Sequence, residues 1–141
     1  MRRHHPLYAM RKQFLQKALP TQGVYCAVGI KDGNLRHEFV DTLDQLDKTF
    51  ETLINHSLNV YVALNTFNTD RRLADNAVFC RSFFVDLDVG DSGHKYDSKD
   101  AARSALAKFL LTSELPPPVM VDSGTGLHAY WLFSEDVPSD E

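Results

Sequence analysis

The chain has 141 residues, 43% hydrophobic and 24% charged, and its 15 Lys+Arg against 19 Asp+Glu give a formal charge of -4. These values suit one globular domain spanning 1–141 and exclude a mainly disordered chain, a collagen-like fibre and a disulfide miniprotein. So mild an acidic balance also excludes retention on nucleic acid or an anionic membrane by bulk charge.

The charge is graded along the chain. Residues 1–20 carry Arg2, Arg3, Arg11, Lys12 and Lys17 and no acid, whereas residues 113–141 carry six acids and no Lys or Arg. In the basic N-terminal segment 1–20, Leu7, Met10, Phe14 and Leu15 recur at helical spacing, Leu19 follows and Pro20 ends the pattern. A short amphipathic helix over 7–19 is expected. His4 and His5 beside Arg2 and Arg3 suggest no role. Val24 to Ile30 is a β-prone run, Asp32-Gly33 a turn signal, and Leu35 to Val40 an extended return, which together predict a hairpin. Asp41 or Thr42 can cap a helix through about Ile54, and Val60 to Leu64 predicts a third strand. Residues 65–78 are polar and predict a loop holding Arg71, Arg72 and Asp75.

Phe79 to Asp88 predicts a fourth strand, and its FFV run argues for burial in the domain centre. After a loop at 90–93, Asp97 or Ser98 can cap a helix through about Leu111, and Pro116-Pro117-Pro118 forms a stiff break. Val119 to Val121, a tight loop at 123–126, a strand from His128 to Phe133 and a polar tail at 134–141 complete the reading. The expected class is α+β, with helices on a mixed or antiparallel sheet. Cys26 and Cys80 lack CxxC spacing and a nearby His pair, so buried reduced thiols of a cytoplasmic protein are expected. No apolar run approaches the length of a bilayer span and no secretory signal precedes the fold, so no membrane partner is expected.

Two patterns carry chemistry. In Phe84-Val85-Asp86-Leu87-Asp88, residues two apart share a strand face, so Asp86 and Asp88 project together. Adjacent carboxylates repel unless a cation lies between them, and hard cations such as Mg2+ or Mn2+ bind through one or two carboxylates plus phosphates. The bland alternative is a pair of surface aspartates ending a strand. In Asp122-Ser123-Gly124-Thr125-Gly126-Leu127-His128, the glycines suit a loop of exposed backbone N–H groups able to cradle phosphate. The Ser123 hydroxyl and the His128 imidazole add donors. Here the bland alternative is an ordinary hairpin turn. Trp131 reads as core packing rather than a base-stacking platform.

The run RSFFVDLDVG, a helix, a Pro-rich break and then VMVDSGTGLHAYWLF resembles the archaeo-eukaryotic primase superfamily, most closely the primase-polymerase domains of phages, plasmids and other mobile elements. The upstream VYVALNTFN and Arg71-Arg72 resemble the segment preceding the DxD in the phage group, and the resemblance covers roughly residues 20–133. It implies a partial RRM-like catalytic core performing metal-dependent nucleotidyl transfer from ribo- or deoxynucleoside triphosphates on a DNA template and primer. By that resemblance Asp86 and Asp88 ligate two Mg2+ or Mn2+ ions, and Ser123 and His128 hold the triphosphate. Gly124, Thr125 and Gly126 add backbone contacts, and Arg81 is a further candidate for the triphosphate or template. Such chemistry needs in-line positioning and neutralised charge. Arg71, Arg72, Arg11 and Lys12 are candidates for DNA contact. A helicase domain or protein is a further candidate partner.

The family's third motif, an acid on a later strand, has no match after Phe133, where Glu135, Asp136, Asp140 and Glu141 lie in the expected polar tail. The chain is therefore expected to stop before the catalytic domain is complete, as a fragment or as a reduced relative without full activity, binding metal and nucleotide weakly and polymerising poorly. Two rival enzyme classes also carry a DxD: nucleotide-sugar glycosyltransferases, and haloacid-dehalogenase-type phosphatases, which have Thr or Val where this chain has Gly90. Neither accounts for SGTGLH. A non-catalytic nucleic-acid-binding module of replication initiation is the alternative from a different class.

Overall fold

The computed structural model describes the backbone of residues 6–140 and side chains from Met10 to Asp140. Arg2, Arg3, His4, His5, Glu141 and the side chain of Leu7 lie outside the described residues. The elements run α1 (Pro6–Ala18), β1 (Tyr25–Lys31), β2 (Asn34–Val40), α2 (Leu43–Asn55), β3 (Asn59–Val62), β4 (Thr66–Phe67), a 3-10 turn (Ala74–Asn76), β5 (Ala77–Leu87), α3 (Lys99–Ser113), β6 (Val119–Asp122) and β7 (Leu127–Pro138). The class is α+β with antiparallel sheets, as expected. Among the described residues no helix is long and apolar enough to cross a membrane.

The chain forms two compact units. One comprises residues 1–81 and 133–141, the other residues 82–132. No linker composition marks the division, because the second unit is inserted between two parts of the first.

In the first unit β1 is central, flanked by β2 and β3. The turn from β1 to β2 places both Asp32 (φ 50) and Gly33 (φ 79) in the left-handed region, the conformation of a two-residue hairpin loop. Both faces of β1 are buried. Tyr25 and Ala27 join Leu15, Leu19, Leu46, Phe50 and Leu53 in one apolar cluster, while Cys26 and Val28 join Phe67 in another. Thr42 caps α2 in a reciprocal capping box with Gln45. Met10, expected on the apolar stripe of α1, is exposed, and the burial falls on Leu15 and Leu19. Cys26 is buried and its thiol is pushed up to about 11 by desolvation, whereas Cys80 is only half-buried; both are free.

Three sequence expectations need correction here. The segment 65–78 is not one loop, since Thr66–Phe67 pairs with the start of β5, at Thr66↔Phe79. The polar tail at 134–141 is largely strand, since β7 continues to Pro138. Its polar residues are held by partners distant in sequence. Asp136 accepts from the Thr21 N–H (2.9 Å) and hydroxyl (2.8 Å), and the Ser139 N–H donates to the Val78 carbonyl (2.9 Å). The third correction concerns the FFV run of the other unit.

In the second unit β7 lies between β5 and β6. Leu87, Leu127, Ala129 and Trp131 pack with Ala102 and Leu106 of α3. The Trp131 Nε1–H donates to the Pro116 carbonyl (2.8 Å), which fixes the Pro-rich break against the sheet. Trp131 is thus core, as expected. Phe83, Phe84 and Val85, however, are each about two-fifths exposed (40%, 43% and 41%) rather than buried. Among β5 residues only Leu87 joins the α3 cluster. Phe83 instead lies flat against Trp131 (5.0 Å between centroids, 10° between planes).

Candidate functional site

Strand alternation sets the site. On β7 the buried Leu127, Ala129 and Trp131 turn one way, so His128 and Tyr130 turn the other. On β5 Leu87 turns toward α3, so Phe84 and Asp86 share the opposite face. The neighbouring strands then bring both motifs together. His128 Nε2 lies 3.5 Å from Asp86 Oδ1, an ion pair whenever the imidazole carries its second proton. Phe84 stacks on Tyr130 (5.2 Å, 19°) and contacts the His128 ring (5.4 Å). The Tyr130 hydroxyl reaches His128 Nδ1 (3.5 Å). The Tyr130 phenol is raised above its usual range, first by burial and then by the charge of Asp86.

The glycine loop is seated at the C-terminal end of β5. A Cβ on Gly126 would stand 2.7 Å from the Leu87 carbonyl oxygen, so only glycine permits this approach. Within the loop the Ser123 N–H donates to the Gly126 carbonyl (3.1 Å), and the Gly126 N–H donates to Ser123 Oγ (3.1 Å). Gly124, at φ +93, donates its N–H to Asp122 Oδ1 (2.8 Å). The Gly124 and Gly126 amides expected at phosphate are thus paired inside the loop, while the Ser123 hydroxyl keeps its own proton to donate.

Asp122 and Lys99 are the residues that sequence reasoning passed over. Lys99 Nζ donates to both Asp122 carboxylate oxygens (2.9 Å each), tying the start of α3 to the loop. The Lys99 hydrogen bond, and next the Gly124 N–H, hold the Asp122 carboxyl below its usual range. The available signal was Lys99 itself, because a cation in the first turn of a helix opposes the helix dipole and calls for an acid nearby.

Asp86 and Asp88 are both exposed, on β5 and one residue past it. Their donors are hard carboxylate oxygens, which suit Mg2+ or Mn2+ completed by phosphate or water. Among the described residues no group of three or more His, Cys, Asp and Glu has metal-holding geometry.

The basic candidates all belong to the first unit. The Arg81 guanidinium donates to the carbonyls of Phe133 (3.5 Å) and Ser134 (3.1 Å). Arg71 pairs with Asp75 (3.3 Å), and Arg72 is exposed and close enough to Cys26 to act on its thiol. Arg11 engages Asp47 (2.7 Å) and Glu51 (2.8 Å) and lies over the Phe50 ring, while Lys12 engages Asp44 (2.7 Å). Arg11 and Lys12 thus tie α1 to α2, and Asp136 is engaged by Thr21.

No family model matches the chain, and no solved structure matches it significantly. A curated "Replication protein" of Clostridium perfringens is 33% identical over 82 residues, which is 57% of this chain and 19% of that protein. The chain thus spans about a fifth of the length of that curated relative.

Proposed function

We propose that the chain acts in DNA replication and carries the metal- and triphosphate-binding part of a primase-polymerase site of the archaeo-eukaryotic kind. The approach of His128 to Asp86 carries this reading, because it joins two motifs far apart in sequence on one strand pair. The likeness to a replication protein supports the process, and the two motifs support the chemistry.

Asp86 and Asp88 would hold Mg2+ or Mn2+. When bound, the metal neutralises triphosphate charge and aligns the reacting groups. His128, whose Nε2 faces Asp86 Oδ1 (3.5 Å), would offer that nitrogen to a phosphate oxygen, with its ring set between Phe84 and the Tyr130 hydroxyl. Ser123 orders the loop by accepting from the Gly126 N–H, and its hydroxyl would donate to a phosphate oxygen. Lys99 and Asp122 hold the loop in the conformation that Gly124 requires. The DNA template or primer would contact Arg72. Arg11, Lys12 and Arg71 are not carried forward, since each already faces an acid.

Incubation with labelled ribo- and deoxynucleoside triphosphates on a primed template tests the reaction class. Slow incorporation that Asp86→Ala abolishes is expected. Turnover of a nucleotide sugar or a phosphomonoester, with no incorporation, would assign the DxD to a transferase or phosphatase instead.

A further inference from the structure

We propose that Phe84, backed by Tyr130, is the platform on which the base of the bound nucleoside triphosphate stacks. The inference rests on the reading of the site given above and adds the subsite for the part of the ligand that phosphate chemistry leaves unassigned.

Phe84 and Phe83 are adjacent and equally apolar, yet their surroundings differ. Phe83 lies against Trp131, which is buried in the α3 cluster and bonded to the Pro116 carbonyl, so its packing is explained by the core. Phe84 belongs to none of the apolar clusters among the described residues and keeps 43% of its surface exposed. Phe84 and the half-buried Tyr130 form a joined ring surface rather than one scattered side chain, and a joined apolar surface rimmed by polar groups is a candidate contact. Such groups rim it here. Phe84 is two residues before Asp86 on one strand face, and Tyr130 is two residues after His128 on the neighbouring strand.

Two strand residues span about 6.6 Å. That matches the reach from a nucleotide's α-phosphate across its sugar to its base. With the α-phosphate at Asp86 and His128, the base would have Phe84 within reach. The ring pair is nearly parallel, so Tyr130 covers one face of Phe84 and the base would take the other. Phe84 adds no charge to the carboxylates. Stacking is tolerant of base identity, because every base has a π face, so the platform adds affinity without selecting a sequence.

Calorimetry in Mn2+ with dATP and, separately, with inorganic tripolyphosphate tests the platform on the wild type, Phe84→Ala and Phe84→Trp. Loss of one base stack corresponds to about tenfold in affinity. Phe84→Ala should weaken dATP by about that factor beyond any loss for tripolyphosphate, which it reaches only through the His128 ring, and Phe84→Trp should restore dATP binding. An equal loss for both ligands would make Phe84 a structural residue and overturn the platform. So would unchanged dATP binding accompanied by Phe84-dependent binding of a single-stranded oligonucleotide, which would place a template base there instead. If the wild type binds neither ligand, the nucleotide site itself falls, and the platform with it.

Discussion

Gly126 and Asp122 show how single residues set the loop. The Leu87 carbonyl that a Gly126 side chain would strike belongs to a strand backbone and cannot swing aside. Gly126→Ala should therefore lift the loop from β5, costing roughly 1–3 kcal/mol of stability by chemical denaturation. The same change should reduce triphosphate affinity, because Ser123 and His128 flank the displaced turn. Asp122 acts through charge. Its folded-state pKa is depressed, so the stabilisation from Lys99 and Gly124 is present above the ordinary carboxylate pKa and lost as pH falls through the lower folded value. The Gly124 amide resonance should follow that titration with a midpoint below the ordinary 3.8. A midpoint at or above 3.8 would contradict the Lys99 tether. Neither residue's role could be read from composition, since each depends on what the fold brings to it.

Among the elements, α1 and β7 make opposite lessons. The basic character of α1 is plain in sequence and suggests a nucleic-acid helix, but α2 supplies acids at matching positions. Arg11→Ala should lower stability by about 1 kcal/mol, read by urea unfolding, through loss of the Asp47 and Glu51 pairs and of packing on Phe50. A fully tolerated change would return Arg11 to the candidates for DNA contact. The Asp32-Gly33 hairpin and the Thr42 and Ser98 caps were legible because local chemistry determines them. The continuation of β7 past Phe133 was not, because Ser134, Glu135 and Asp136 lack apolar alternation and depend on Thr21 and Val78, far away in sequence. Likewise β4 is only two residues long and exists through its pairing with β5. The Trp131 assignment survived because a ring flanked by alternating apolar residues can be placed by period alone. Trp131→Ala should cost about 3–5 kcal/mol, and Trp131→Phe less, since it removes the Pro116 hydrogen bond but keeps a ring against Phe83.

At the scale of the whole molecule, the second unit is an inserted segment whose strand ends carry both motifs. The DxD and the SGTGLH loop were both visible in the sequence as types of residue. Their meeting was not, because it depends on β5 and β7 lying side by side with Asp86 and His128 on the same face. The net charge of -4 would be compatible with a nucleotide ligand if Asp86 and Asp88 hold a cation as proposed. Calorimetric titration of dATP in Mn2+ into the wild type and the Asp86→Ala/Asp88→Ala double variant is the most direct test. Metal-dependent binding to the wild type and its loss in the double variant are predicted. Equal binding by the two proteins would contradict a metal role for the pair and leave a nucleic-acid-binding module in its place.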